Sequence, residues 1–175
     1  IGNTLMTKYR TTRCIIVLSA LALSVTAAAH AAQYTVTDLG TLGGTESFGS
    51  GLNAGGQVAG AAYTTDDDAY HSFLRTPTTP NGASGTTTDL GTLGGTNSFG
   101  NGLNASGQVA GESSTTGDAA THAFLWKSTT PGGASGTMHD LLTTGGTNSY
   151  AYAINAAGQV TGASDRTGNT RTHAF

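Results

Sequence analysis

Thr37 to Gly60 reads TDLGTLGGTESFGSGLNAGGQVAG, and Thr88 to Gly111 reads TDLGTLGGTNSFGNGLNASGQVAG, identical at 21 of 24 positions. His139 to Gly162 reads HDLLTTGGTNSYAYAINAAGQVTG and matches the second copy at 14 of 24. Asp38, Asp89 and Asp140 stand 51 residues apart, as do Asn53, Asn104 and Asn155; Gln57, Gln108 and Gln159; and His71, His122 and His173. A period this strict is the signature of a repeat architecture, in which one supersecondary unit recurs and buries its faces against its neighbours.

Within one repeat the pattern predicts four short strands. The first is Tyr34 to Leu39, where Tyr34 and Val36 alternate with threonines. A glycine-rich turn, Gly40 to Thr45, leads to a second strand at about Ser47 to Leu52 and a third from Gln57 to Tyr63. Between them Asn53-Ala54-Gly55-Gly56 is a hairpin signal, repeated at Asn104 to Gly107 and Asn155 to Gly158. The fourth strand is Tyr70 to Arg75 in the first copy and Thr121 to Lys127 in the second. Segments rich in Pro, Gly and Ser, Pro77 to Gly85 and Pro131 to Gly136, link one repeat to the next. No stretch beyond Ala31 has a helical period. The expected fold class is all-β: tandem four-stranded antiparallel repeats at about 34–85, 86–136 and 137–175, the last truncated. Four strands in about 50 residues is the period of a β-propeller blade, whereas solenoid coils run shorter, roughly 20 to 30 residues.

Composition agrees. The chain has 27 glycines in 175 residues and only 10% charged side chains. It cannot build one thick core, but it can build thin sheets with tight turns, because glycine and asparagine tolerate positive φ. Disorder fits less well, since that normally accompanies high net charge without an apolar pattern.

The first 31 residues differ in kind. Lys8, Arg10 and Arg13 precede the apolar run Cys14 to Ala29, which ends in Ala29-His30-Ala31. This order predicts a secretory signal peptide cleaved after Ala31, and its 16-residue apolar run is short of the roughly 20 needed for a membrane-spanning helix. Ile1 to Leu5, ahead of Met6, read as upstream residues. Removal of residues 1–31 leaves four basic and ten acidic side chains, a net charge of −6. That charge argues against nucleic acid and anionic lipid as partners, and no membrane insertion is expected after signal removal. Cys14, the only cysteine, leaves with the leader, so no disulfide is expected. The expected location is secreted or extracellular, with the periplasm or cell surface as alternatives.

The motifs Asp89 to Gly95 (DLGTLGG), Leu103 to Val109 (LNASGQV) and His122 to Trp126 (HAFLW) resemble those of the bacterial extracellular HAF repeat family, with weaker copies on either side. The resemblance implies export and a repeat fold, propeller-like in kind, and it implies no activity and no catalytic residues. Ser72 and Arg75 replace the Ala and Trp of the HAFLW motif, and Leu142 and Thr144 break DLGTLGG in the third copy. Since the chain stops at His173-Ala174-Phe175 inside a fourth strand, and a closed propeller takes about four to eight blades, it reads as part of a longer gene.

Residues that recur in every copy are expected to be structural. His71, His122 and His173 should bond within their own blades, and no H-x-H or H-E-x-x-H spacing favours a metal. Asp38, Asp89 and Asp140 should cap the glycine-rich turn that follows each of them. Asp66-Asp67-Asp68 occurs once and is a weak Ca²⁺ candidate without the D-x-D-x-D-G order. No cofactor is expected. Residues that break the repeat, Glu46, Glu112, His139, Asp165 and Arg166, are scattered along the chain, and Tyr63, Tyr70, Tyr150 and Tyr152 are the aromatics a binding surface could use. The functional expectation is binding or scaffolding, with a surface glycan or a protein as partner; the alternative is an extracellular hydrolase or lyase with its site in one blade's loops.

Overall fold

The computed structural model describes residues 34–130 and 135–175, so the expected signal peptide at 1–31 lies outside the described residues. The chain divides into Ile1–Thr35 and Val36–Phe175, and all the sheets belong to the second unit.

The architecture is all-β, three antiparallel sheets in tandem. The first sheet runs β1 (Gly43–Leu52), β2 (Val58–Thr64), β3 (Tyr70–Pro77) and β4 (Gly85–Asp89), each strand paired with the next in sequence. The second repeats it with β5 (Gly94–Leu103), β6 (Val109–Thr115), β7 (Thr121–Ser128) and β8 (Gly136–Asp140). The third has β9 (Gly145–Ile154), β10 (Val160–Arg166) and β11 (Thr172–Ala174).

The sheets are offset from the repeats expected in the sequence. The segment equivalent to Tyr34–Leu39 does not open a sheet; it closes the preceding one. Asp89 pairs with Phe73, and Asp140 with Phe124. Gly85 and Gly136, expected in linkers, are therefore strand residues. Residues 34–41 form no strand. The reason is physical: a strand exists only as a member of a hydrogen-bonded ladder, and among the described residues no earlier sheet offers these an edge. DLGTLGG is thus the connection from the last strand of one sheet to the first strand of the next.

Asparagine builds the first hairpin. Asn53 Oδ1 accepts from the backbone N–H groups of Gly55 and Gln57, both at 3.0 Å, while Gly56 at φ +80° donates to Asn53 O. Asn104 and Asn155 do the same with their own loops. Each first strand also carries a bulge, at Ser50, Asn101 and Tyr152, where two residues oppose one on the partner strand. A bulge kinks the strand and re-aims its side chain.

Successive sheets pack face to face, β5 against β1, β2 and β3, and β9 against β5, β6 and β7. The first strands of the three sheets therefore neighbour one another, while β4 and β8 lie on the far side. Ala59, Leu74, Leu90, Val109, Phe124 and Trp126 form the main core, with Leu93, Leu103 and Met138 against it. A second, thinner cluster joins Ala110, Ala123 and Ala151.

Hydrogen bonds also cross from sheet to sheet. Beyond Asp89 the β3–β4 ladder ends, and the Ser72 N–H donates instead to Ser98 Oγ of the next sheet at 2.8 Å; Ser98 in turn donates to Gly91 O at 2.6 Å. Ala123 N and Ser149 repeat this one unit later. Asn53 Nδ2 donates to Asn104 O and Asn104 Nδ2 to Asn155 O, a stitch through all three hairpins. The side chain of Ser72 is less well placed, its Oγ being buried without a hydrogen-bond partner. The second copy has Ala123 there. Ser72→Ala should therefore stabilise the protein by about 1 kcal/mol, the low end of the cost of an unsatisfied buried polar group, as an increase in the urea midpoint.

A cleft between the second and third sheets

The recurrent polar residues occupy structural positions within this frame. Asp89 Oδ1 accepts from Gly91 N at 2.7 Å, and its carboxylate meets His71 Nδ1 at 2.8 Å across the β3–β4 pair. Asp140 makes the same two contacts with Leu142 N and His122 Nδ1. Asp38 holds only the turn, through Gly40 N at 2.9 Å. Gln57, Gln108 and Gln159 each accept from the asparagine of their own hairpin.

The acidic triplet is less singular than its sequence suggests. Asp66 and Asp67 adopt positive φ in a 3-10 turn, and both oxygens of Asp67 are held by Thr45 N and Oγ1 at 2.7 and 3.0 Å. Asp118 holds Thr96 in the same way, and Asn169 holds Thr147. Donation from Thr96 keeps the Asp118 carboxyl below the usual carboxylate range. Asp67 is thus a repeat position that clamps the start of the first strand. Among the described residues no group of three His, Cys, Asp or Glu side chains is placed to hold a metal ion.

Two groups of departures from symmetry lie at the junctions between sheets. At the first junction Tyr63 and Tyr70 stack with ring centroids 3.8 Å apart, and Tyr70 packs on Phe99 of the next sheet at 5.5 Å and on Phe48 at 6.1 Å. Tyr70 Oη donates to Glu46 at 3.0 Å. Its phenol is pushed above its ordinary value by the hydrogen bond to Tyr63, by burial and by Glu46.

At the second junction Ser114 and Thr121 stand where the first has Tyr63 and Tyr70, and Tyr150 stands where the first has Phe99. The space that two tyrosine rings fill at the first junction is a cleft of about 110 Å³ at the second, lined by Asn97, Phe99, Glu112, Ser114, Thr121 and Tyr150. Glu112 is partly buried on β6, at a position taken by Ala61 and Ala163 in the other copies. Burial pushes its carboxyl above the usual range, against a hydrogen bond from Asn101, the bulge residue of β5. The Tyr150 phenol is raised too, by burial first and then by the carboxylates of Asp165 and Glu112. Each of these substitutions is legible in the sequence, where Glu112 and Tyr150 read as unrelated; their meeting depends on stacking β9 against β6.

The raised carboxyl has a pH consequence. Native Glu112 holds its proton more tightly than in the unfolded chain, so its contribution to stability falls as pH rises from about 4.3, the ordinary glutamate value, through the raised native value. Glu112→Gln should raise Tm by about 1–3 °C at pH 7, a fraction of a kcal/mol, and leave it unchanged at pH 3. Thermal scans at the two pH values check this.

Searched against protein-family models, curated proteins and solved structures, the chain matches none of them.

Proposed function

We propose that this is an exported, propeller-like repeat protein that binds at or outside the cell surface, with a surface glycan as the ligand taken into the cleft of Glu112 and Tyr150. The cleft carries this reading. It is a departure from the repeat, and a departure that opens space is not required by the repeat's own packing. Its lining combines aromatic surface, on Phe99 and Tyr150, with amide, hydroxyl and carboxylate groups, on Asn97, Ser114, Thr121 and Glu112. Aromatic surface covers the apolar C–H face of a sugar, and carboxylate and amide groups satisfy its hydroxyls. A volume of about 110 Å³ admits one pendant group of a glycan rather than a whole chain. Glu112 is the only carboxylate lining it among the described residues, whereas glycoside hydrolysis by the usual route needs two. That favours binding over catalysis. The tandem packing of the three antiparallel sheets, each first strand lying against the preceding sheet, supports the propeller-like part of this reading.

The test is isothermal titration with soluble cell-surface oligosaccharides. Saturable binding should weaken about tenfold or more in Tyr150→Ala and in Glu112→Ala, while Tyr152→Ala, outside the cleft lining, leaves it unchanged. Binding indifferent to the cleft substitutions, or release of reducing sugar during the titration, would defeat the reading. Protein recovered outside the cell should begin at Ala32.

A further inference from the structure

The rings of the first junction mark out the shape of the second. Tyr70 lies between Phe48 and Phe99, with ring centroids at 6.1 and 5.5 Å. One repeat later Thr121 stands in its place, and Phe99 and Tyr150 take the places of the two flanking rings. The cleft between the second and third sheets is therefore a ring-wide slot with an aromatic residue on either side. Glu112 pairs with Phe99 across the β5–β6 ladder, so the two side chains rise from one face of the second sheet. Ala61 pairs with Phe48 in the same way at the first junction and brings no charge.

We propose that the group this slot takes is a primary ammonium, and that the ligand is a glycan bearing unacetylated amino sugars; this rests on the reading of the cleft as a glycan site.

Charge decides the class. Glu112 is partly buried, and among the described residues it makes no ion pair. Its hydrogen-bond donor is the neutral amide of Asn101, which also donates to Ala151 O at 2.9 Å. Burial without a counter-charge holds the carboxyl above its usual range, and the carboxylates of Asp165 and Glu112 both help to raise the Tyr150 phenol. That is the field of a site that attracts a cation. A uronate, sulfate or phosphate would meet it with repulsion. A hydroxyl or acetamido group could bond the carboxylate but would leave its charge uncompensated. An ammonium supplies the missing charge together with three N–H donors, for which the Ser114 and Thr121 hydroxyls are further acceptors. The faces of Phe99 and Tyr150 add cation–π attraction, which is largest where water is displaced. A quaternary ammonium would forgo all three donors. The slot also has a shape. A pyranose presents a flat C–H face to rings on either side, which the slim stem of a lysine does not. A volume of about 110 Å³ holds an amine on its ring carbon, with the rest of the sugar at the mouth. The chain's net charge of −3 favours the approach of such a ligand from a distance.

The experiment titrates the full chain at pH 6 with two tetrasaccharides of one backbone, the β-1,4 tetramer of glucosamine and its fully N-acetylated form. The amine tetramer should bind at least tenfold more tightly. Glu112→Gln, which keeps the shape and can still accept from Asn101, should weaken the amine tetramer tenfold or more. It should change the acetylated form less than twofold and leave the circular dichroism spectrum as it is. Tyr150→Leu should weaken the amine tetramer several-fold. Amine binding undiminished in Glu112→Gln would overturn the proposal. Equal binding of both forms, each weakened by Tyr150→Ala, would overturn the ammonium assignment and leave the glycan reading standing. Failure of both tetramers overturns the proposal as well, and a tetralysine peptide held through Glu112 in their place would take the glycan reading with it.

Discussion

Gly111→Ala should cost about 3 kcal/mol or more, the upper end of the range for overpacking a tight site. Gly111 lies on β6 opposite Gly100, where β5 bulges. A Cβ built on it stands 2.0 Å from Phe99 O and 2.9 Å from the Phe124 ring. The first of these is a backbone atom, so no rotamer change relieves it. Gly60 and Gly162 face the same obstacle, at 1.8 and 1.9 Å from the carbonyl oxygens of Phe48 and Tyr150. Gly117→Ala is the control: its φ of +71° strains an alanine, but nothing lies within 4 Å, so the cost should be near 1 kcal/mol. Urea unfolding of the two variants separates steric exclusion from backbone strain. A Gly111→Ala protein no less stable than Gly117→Ala would contradict the close approach at the bulge.

Phe124→Ala should destabilise by about 3–5 kcal/mol, the range for emptying a buried aromatic site. Phe124 is fully buried and touches the cluster that joins the first two sheets, so its loss opens a cavity between them as well as within its own sheet. The equivalent residues grade the effect. Phe73 is nearly as buried, whereas Phe175 is 37% exposed, and Phe175→Ala should cost less than half as much. Three substitutions at one repeat position thus measure how much of each residue's worth comes from having a neighbouring sheet. Equal losses at all three would place the stability within single sheets and contradict packing between them.

The histidines rank lower than a buried polar network would. His122 and Asp140 leave 19% and 31% of their side chains in water, so His122→Ala should cost about 1 kcal/mol or less.

The sequence by itself determined the repeat length, the all-β class and the hairpins, because these depend on near neighbours. Asn53-Ala54-Gly55-Gly56 turns the chain with its own side chain and a positive-φ glycine, and so sets β1 beside β2. Tertiary structure alone decided where one sheet ends and the next begins. Tyr34–Leu39 and Thr88–Leu90 look alike in sequence, yet only the second becomes a strand end, since pairing depends on an available edge and an edge belongs to another segment. Tertiary structure also brought Glu112 to Tyr150, 38 positions apart, and turned the exchange of two tyrosines for Ser114 and Thr121 into a cleft. Sequence spacing encodes what lies along a strand; what faces it across a junction follows from how the sheets stack.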